Sequence, residues 1–208
     1  MPKLTAQRKD LIDRAMRDGV FEKAREFLSE LGWRGFTMDG LALKMGVSKG
    51  TLYNYFRDKG AVMLFINERL SGLLEEKHKA VLEAGEPSRE ILERLVREAL
   101  SNMKEFRFML IVWEEMSRSP REKDRELARQ MGPSPWLQNA LTEFMRHGID
   151  IGVFRREDPK VAAQILLAML SGLDRQVAAR ERDGLSMDDP AVMDAVLRTF
   201  AAAFCVQP

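Results

Sequence analysis

Residues 46–59 read GVSKGTLYNYFRDK. Only Val47, Leu52 and Phe56 are plain core formers here; most of the remaining side chains are hydrogen-bond donors or flat aromatic rings. Gly46 stands where a preceding helix would stop in the left-handed conformation, and Ser48 can cap the next helix. In that helix Leu52 and Phe56, four residues apart, form the inner side. Lys49, Gly50, Tyr53 and Asn54 then face away, with Ser48 and Thr51 near the front edge.

Working outward from this run, Thr37 can cap a short helix whose buried face is Met38, Leu41, Ala42 and Met45. Before it, Ile12, Met16, Val20, Ala24, Phe27 or Leu28, and Leu31 recur at steps of three or four. That stripe predicts a first helix ended by Gly32, with Gly19 as a soft point inside it and GWRGF (32–36) as a turn. After Phe56, the segment RDKG leads into an apolar-periodic run through Val62, Phe65, Ile66, Leu70, Leu73 and Leu74, predicting a helix to about Leu82. A first helix followed by two short helices joined through a tight turn is the helix-turn-helix arrangement.

The polar side of the second short helix suits a DNA surface. Lys49 can reach base acceptors or phosphate, Thr51 can donate to phosphate, and Gly50 permits close approach of the backbone. Tyr53 and Tyr55 carry phenolic donors on rigid arms. Residue types alone leave a second reading open, in which this face is merely solvated and the tyrosines rim a core.

Composition narrows the field. The chain has 208 residues, enough for one large domain or two modest ones, and at that length roughly 70% of the unfolded surface can be buried. Its net charge is only +1, but residues 1–60 carry 12 basic against 8 acidic side chains, whereas residues 61–208 carry 21 against 24. The basic excess therefore lies with the quoted run. The single cysteine, Cys205, has no internal partner and reads as a small apolar residue of a terminal helix, which fits a reducing compartment. No stretch approaches the roughly 20 apolar residues of a membrane span, and MPKLTAQRKD lacks the apolar core of a leader, so a cytoplasmic protein is expected. With only His78 and His147, no glycine-rich phosphate loop and no metal-ligand spacing, no catalytic site, metal or cofactor is expected.

The run FTMDGLALKMGVSKGTLYNYFRDKGAVM resembles the DNA-binding domain of TetR-family transcriptional regulators. The anchored positions of that pattern are Thr37, Leu41, Ala42, Gly46, Val47, Ser48, Gly50, Leu52, Tyr53, Tyr55, Phe56 and Lys59. The resemblance is specific over residues 17–66 and elsewhere rests only on length and helix count. It implies an all-α fold of about nine to ten helices, with a DNA-binding domain over residues 1–60 and a larger ligand-binding and dimerisation domain over 61–208. By the same resemblance, Thr37 contacts phosphate, and Lys49, Gly50 and Thr51 lie in the major groove beside Ser48 and Asn54. Tyr53 and Tyr55 brace the DNA backbone or touch a base edge, and Lys59 holds a phosphate. Tyr55 stands where many relatives have histidine, its hydroxyl replacing the imidazole donor. Residues 1–16, with Lys3, Arg8, Lys9 and Arg14, extend beyond the usual start of the first helix, as a minor-groove arm or as a solvated helical extension.

Further along, helices are expected at about 88–104, 107–117, 121–131 and 136–151. Asp158-Pro159 and Asp189-Pro190 each place a cap directly before a first-turn proline and predict helices over about 159–182 and 190–205. Large flexible and aromatic side chains gather between Met103 and Phe144. Most are ordinary core singly, but as a group Met103, Phe106, Met109, Trp113, Met116, Trp136 and Phe144 could line an apolar pocket, together with Ile66 and Leu70 of the fourth helix. Glu114 and Glu115 read as a solvated pair or as a contact for a cationic ligand. The resemblance makes the last two helices a dimer interface through Ile165, Met169, Gly172, Leu173, Val196, Phe200 and Phe204. It thus implies a homodimeric regulator, most simply a repressor, that reads a palindromic operator in double-stranded DNA and is released by a small, largely apolar effector. A helical dimer that binds a ligand or a protein without reading DNA is the alternative.

Overall fold

The structure is a computed structural model that describes residues 6–131, 134–180 and 186–206. Among these, nine α-helices follow one another and no strand occurs beyond an isolated bridge between Phe154 and Cys205. The chain divides into two compact units. One comprises residues 1–70 and 108–132; the other comprises 71–107 and 133–208. The boundary expected at residue 60 follows chain order, whereas packing draws the last third of the fifth helix, from Phe108, into the first unit.

The first unit begins with α1 (Ala6–Gly35), whose buried stripe is Val20, Phe21, Ala24, Phe27 and Leu28. Two members of the expected stripe are exposed, Ile12 at 48% and Leu31 at 54%. Ile12 lies where α1 is fastened mainly by polar contacts, a hydrogen bond from Tyr55 to Asp13 and Arg17 over the Phe56 and Phe65 rings. At Gly32 the backbone leaves the helix (φ 63°, ψ −171°), so burial passes from Leu31 to Trp33 and Phe36. The expected turn over 32–36 is therefore a kink followed by one short helical turn. Phe36 is fully buried between Phe27 and Trp33, at ring-centre distances of 5.4 and 6.5 Å.

Helix α2 (Met38–Met45) starts at Thr37, whose hydroxyl accepts from the Gly40 N–H at 3.1 Å. It ends at Gly46 in the left-handed region (φ 68°, ψ 28°), where a side chain would be strained. Helix α3 (Lys49–Tyr53) is capped by Ser48, which accepts from the Thr51 N–H at 3.0 Å. Leu52 and Phe56 are buried beneath it. Helix α4 (Lys59–Leu82) follows, with its residues to Leu70 in the first unit.

Two expected helices over 88–117 are one, α5 (Arg89–Ser117), because the KEFR junction contains no glycine, proline or cap to stop a helix. The part of α5 from Phe108 onward joins α6 (Glu122–Arg129) in the first unit. There, buried Asp124 accepts from the Ser119 hydroxyl at 2.6 Å, and the Trp113 indole donates to the Ala128 carbonyl at 3.1 Å.

The second unit contains the remainder of α4 and α5, with α7 (Pro135–Asp150), α8 (Pro159–Arg180) and α9 (Pro190–Phe204). Its core includes Leu92, Leu95, Leu141, Met145, Leu166 and Leu197. The two proline-marked starts are built as expected: Asp158 accepts from the Val161 N–H and Asp189 from the Ala191 N–H, each at 2.9 Å. Residues 181 and 182 of the expected 159–182 helix lie outside the described residues. The Phe154 ring lies against Gly148, where a β-carbon would come within 2.1 Å of it. Cys205 is buried, which pushes its thiol pKa up.

Candidate nucleic-acid interface

Capping explains why five residues form α3 at all. Isolated short helices are unstable in water, so the segment depends on its Ser48 cap and on Leu52 and Phe56 beneath it. These inner anchors turn the other side outward. Lys49, Gly50, Thr51, Tyr53 and Asn54 are all exposed, Tyr53 at 49%. Thr37 is exposed at the start of α2, although its hydroxyl already serves as the cap. The Ser48 and Thr51 hydroxyls lie 2.8 Å apart.

Three expected contacts have protein partners of their own. The Lys49 ammonium pairs with exposed Asp39 of α2, so the cation of the outer face is accompanied by an anion. Tyr55 is half-buried and donates to Asp13 Oδ1 at 2.7 Å; this bond to a carboxylate raises its pKa, joined by desolvation. Its hydroxyl thus ties the end of the reading motif to α1. Lys59 is also half-buried. Its ammonium donates to the Trp33 carbonyl at 3.2 Å and sits 3.9 Å from the indole centre, and burial pushes its pKa down. Beside it, Asp58 accepts from the Ala61 N–H at 2.9 Å and lies 3.6 Å from Lys123 of α6; the backbone bond lowers its pKa.

Sequence reasoning missed Asp13, Asp39 and Glu115. Glu115, read as part of a solvated pair, accepts the Trp33 N–H at 2.7 Å. Gly32 and Trp33 within GWRGF were the available signal, since a positive-φ glycine often marks a close approach. Arg8, Lys9 and Arg14 of the extension are exposed on α1, while Lys3 lies outside the described residues.

The expected pocket residues divide between the units. Ile66, Leu70 and Met116 are buried in the first unit, Met109 is half-buried, and Trp113 is exposed at 39%. Trp136 is half-buried and Phe144 buried in the second. The side chains of Met103 and Phe106 lie outside the described residues.

The expected dimer residues form a different kind of surface. Met169, Gly172 and Leu173 of α8, with Val192, Val196 and Phe200 of α9, line an open apolar groove. Ile165 is exposed at 47%, whereas Phe200 and Phe204 are buried at 3% and 7%. Those two phenylalanines therefore serve chiefly as core of the second unit, because α9 turns them toward its interior.

A helix-turn-helix whose second helix is polar outside and anchored inside defines a DNA-reading class of protein. Residues 20–64 match the family model for bacterial regulatory proteins, tetR family, so this segment carries the DNA-binding domain that the model describes. A Bacillus subtilis protein described as the uncharacterized HTH-type transcriptional regulator YhgD is 27% identical over 158 residues, covering 74% of this chain and 80% of the relative. SmeT of Stenotrophomonas maltophilia, solved with triclosan, shares the fold at a TM-score of 0.72 and 20% identity, over 93% of each chain. FadR of B. subtilis, solved with stearoyl-CoA, does so at 0.70 and 20%, over 88% of this chain and 97% of its own. In domain, relative and fold the chain is thus similar to helix-turn-helix transcriptional regulators. None of the described helices is long and apolar enough to cross a membrane.

Proposed function

We propose that the chain is a ligand-responsive repressor that binds a palindromic DNA operator as a homodimer through α3. The observation that carries this reading is the two-sided construction of α3, with Leu52 and Phe56 buried and Lys49, Thr51, Tyr53 and Asn54 exposed between two capped turns. Short helices spend donors on their outer face to meet phosphate and base edges. Thr37 at the head of α2 and Lys59 at the head of α4 supply flanking phosphate contacts, Lys59 through the donors it does not give to Trp33.

Dimerisation rests on the apolar groove between α8 and α9 and on exposed Val161 and Ile165 earlier in α8. Two such faces can bury one another, and two-fold symmetry then sets two copies of α3 on related half-sites. The effector is small and largely apolar: methionine and aromatic side chains are concentrated in the central helices, and the two related folds were solved with triclosan and stearoyl-CoA. One structural relative is described as the repressor of a multidrug efflux pump. Such a ligand releases DNA only to the extent that it binds the DNA-free arrangement more tightly.

The test is selection from random duplex DNA at near-physiological salt, beside a Lys49→Ala/Tyr53→Ala double variant. Enrichment of a palindrome by the native chain alone supports the reading, and the affinity lost in the variant is about tenfold or more. A folded native dimer that enriches no sequence would remove DNA recognition and leave a ligand-binding helical dimer.

A further inference from the structure

Trp33 is held at both ends of its backbone. Its N–H donates to Glu115 Oε2 at 2.7 Å, and its carbonyl accepts from Lys59 Nζ at 3.2 Å. The indole, only 3% exposed, stacks on Phe36 while the same lysine covers its face. Gly32 completes the arrangement. Its φ of +63° turns the chain toward α5, and a β-carbon there would stand 2.6 Å from Glu115 Oε1, so the carboxylate occupies the space that glycine leaves.

The placement of these groups matters more than their number. Lys59 is the first residue of α4 and Glu115 lies in the last turn of α5, and both helices continue into the second unit's residues. The point they grip is the kink that ends α1, four residues before the Thr37 cap from which the reading helices start. A phosphate that competes for the Lys59 ammonium weakens one grip; the Glu115 grip is independent of it. Glu115 therefore keeps Trp33 in place while Lys59 shares its ammonium with DNA.

Resting on the DNA-binding reading above, we infer that Glu115 is a positioning residue for DNA recognition, which sets through the Trp33 amide the course of the chain from α1 into α2 and α3. Its work is done by an acceptor atom at a defined reach, not by charge. Two conservative variants separate these properties without threatening the fold. Glu115→Gln keeps an acceptor at the same distance, whereas Glu115→Asp keeps the charge but draws it back by one methylene, beyond hydrogen-bond reach.

The experiment measures affinity for the duplex enriched by the native full-length chain, by fluorescence anisotropy, with amide hydrogen exchange read at Trp33. The expected result is that Glu115→Gln stays within about threefold of native while Glu115→Asp weakens about tenfold, as loss of one positioned hydrogen bond allows. Trp33 exchange quickens in the aspartate variant alone, and the salt dependence of binding keeps its native slope, because no phosphate contact is removed. Native affinity in the aspartate variant, or equal losses in both, overturns the inference while leaving DNA recognition standing. Failure of the native chain to enrich any duplex removes the DNA-binding reading, and the positioning role with it.

Discussion

The outer face of α3 and the groove between α8 and α9 are both exposed, yet they differ in what they leave uncovered. Around α3 the apolar side chains Leu52 and Phe56 are buried, and a lysine, a threonine, a tyrosine and an asparagine meet solvent. Along α8 and α9 it is Val161, Ile165, Met169 and Leu173 that stay wholly or partly exposed. Water satisfies the first surface and is only displaced from the second. The first suits a hydrated polyanion, where counterion release and directed hydrogen bonds supply affinity. The second suits an apolar partner such as its own copy, where burial supplies it.

The contrast breaks most severely if the support beneath α3 is removed. Phe36 is fully buried, and Phe36→Ala is expected to cost about 3–5 kcal/mol in denaturant unfolding and to abolish duplex selection. Retention of native selection by a fully folded variant would mean that the aromatic layer does not position the reading helices. Next in size is Ile165→Asp, which places a charge on the apolar face. Sedimentation should move toward the 23.8 kDa protomer while circular dichroism stays native. A dimer that survives this change would locate the interface elsewhere.

A smaller effect sharpens the polar side. Asp39 accompanies Lys49 on the exposed face, so Asp39→Asn frees the ammonium and removes a charge that repels phosphate. Binding should tighten by about two- to fivefold at low salt, with the gain shrinking as salt is raised. Unchanged or weaker binding would show that Asp39 orients Lys49 instead of restraining it.

The smallest effect lies beneath the second unit's surface. His78 is buried, its Nδ1 lies 2.7 Å from the Leu74 carbonyl, and Glu98 and Lys77 are its charged neighbours. Burial lowers its pKa, so the folded chain binds fewer protons there than the unfolded chain, whose histidine titrates near 6.5. Stability conferred by the neutral ring is therefore present above about pH 6.5 and is lost as pH falls below it. Melting at pH 5.5 and 7.5 should separate the native chain from His78→Gln by a few degrees, on the scale of about 2–4 °C per kcal/mol. Parallel pH profiles would remove His78 as the titrating group.

Local chemistry made much of the first unit legible. Thr37, Gly46 and Ser48 act over three or four residues, and each requirement, a cap acceptor or a left-handed backbone, is met by few residue types. The proline-marked starts of α8 and α9 were readable for the same reason. The continuous α5 was not: its interior holds no stop signal, and only the absence of one argued against two helices. Phe200 and Phe204 were readable as apolar but not as inward, since periodicity defines a stripe without saying which neighbour covers it.

Spacing and caps were thus enough to settle the helix-turn-helix and the outward side of α3, because each depends on interactions within one or two helical turns; the all-α class came with the family resemblance. Tertiary structure alone decided that Tyr55 spends its hydroxyl on Asp13, that Lys59 and Glu115 meet at Trp33, and that the end of α5 belongs with the reading unit. Glu115 and Trp33 are 82 residues apart. No local rule pairs them; the pairing follows from where folded helices bring a buried N–H and a carboxylate together, and from the need of that N–H for a partner.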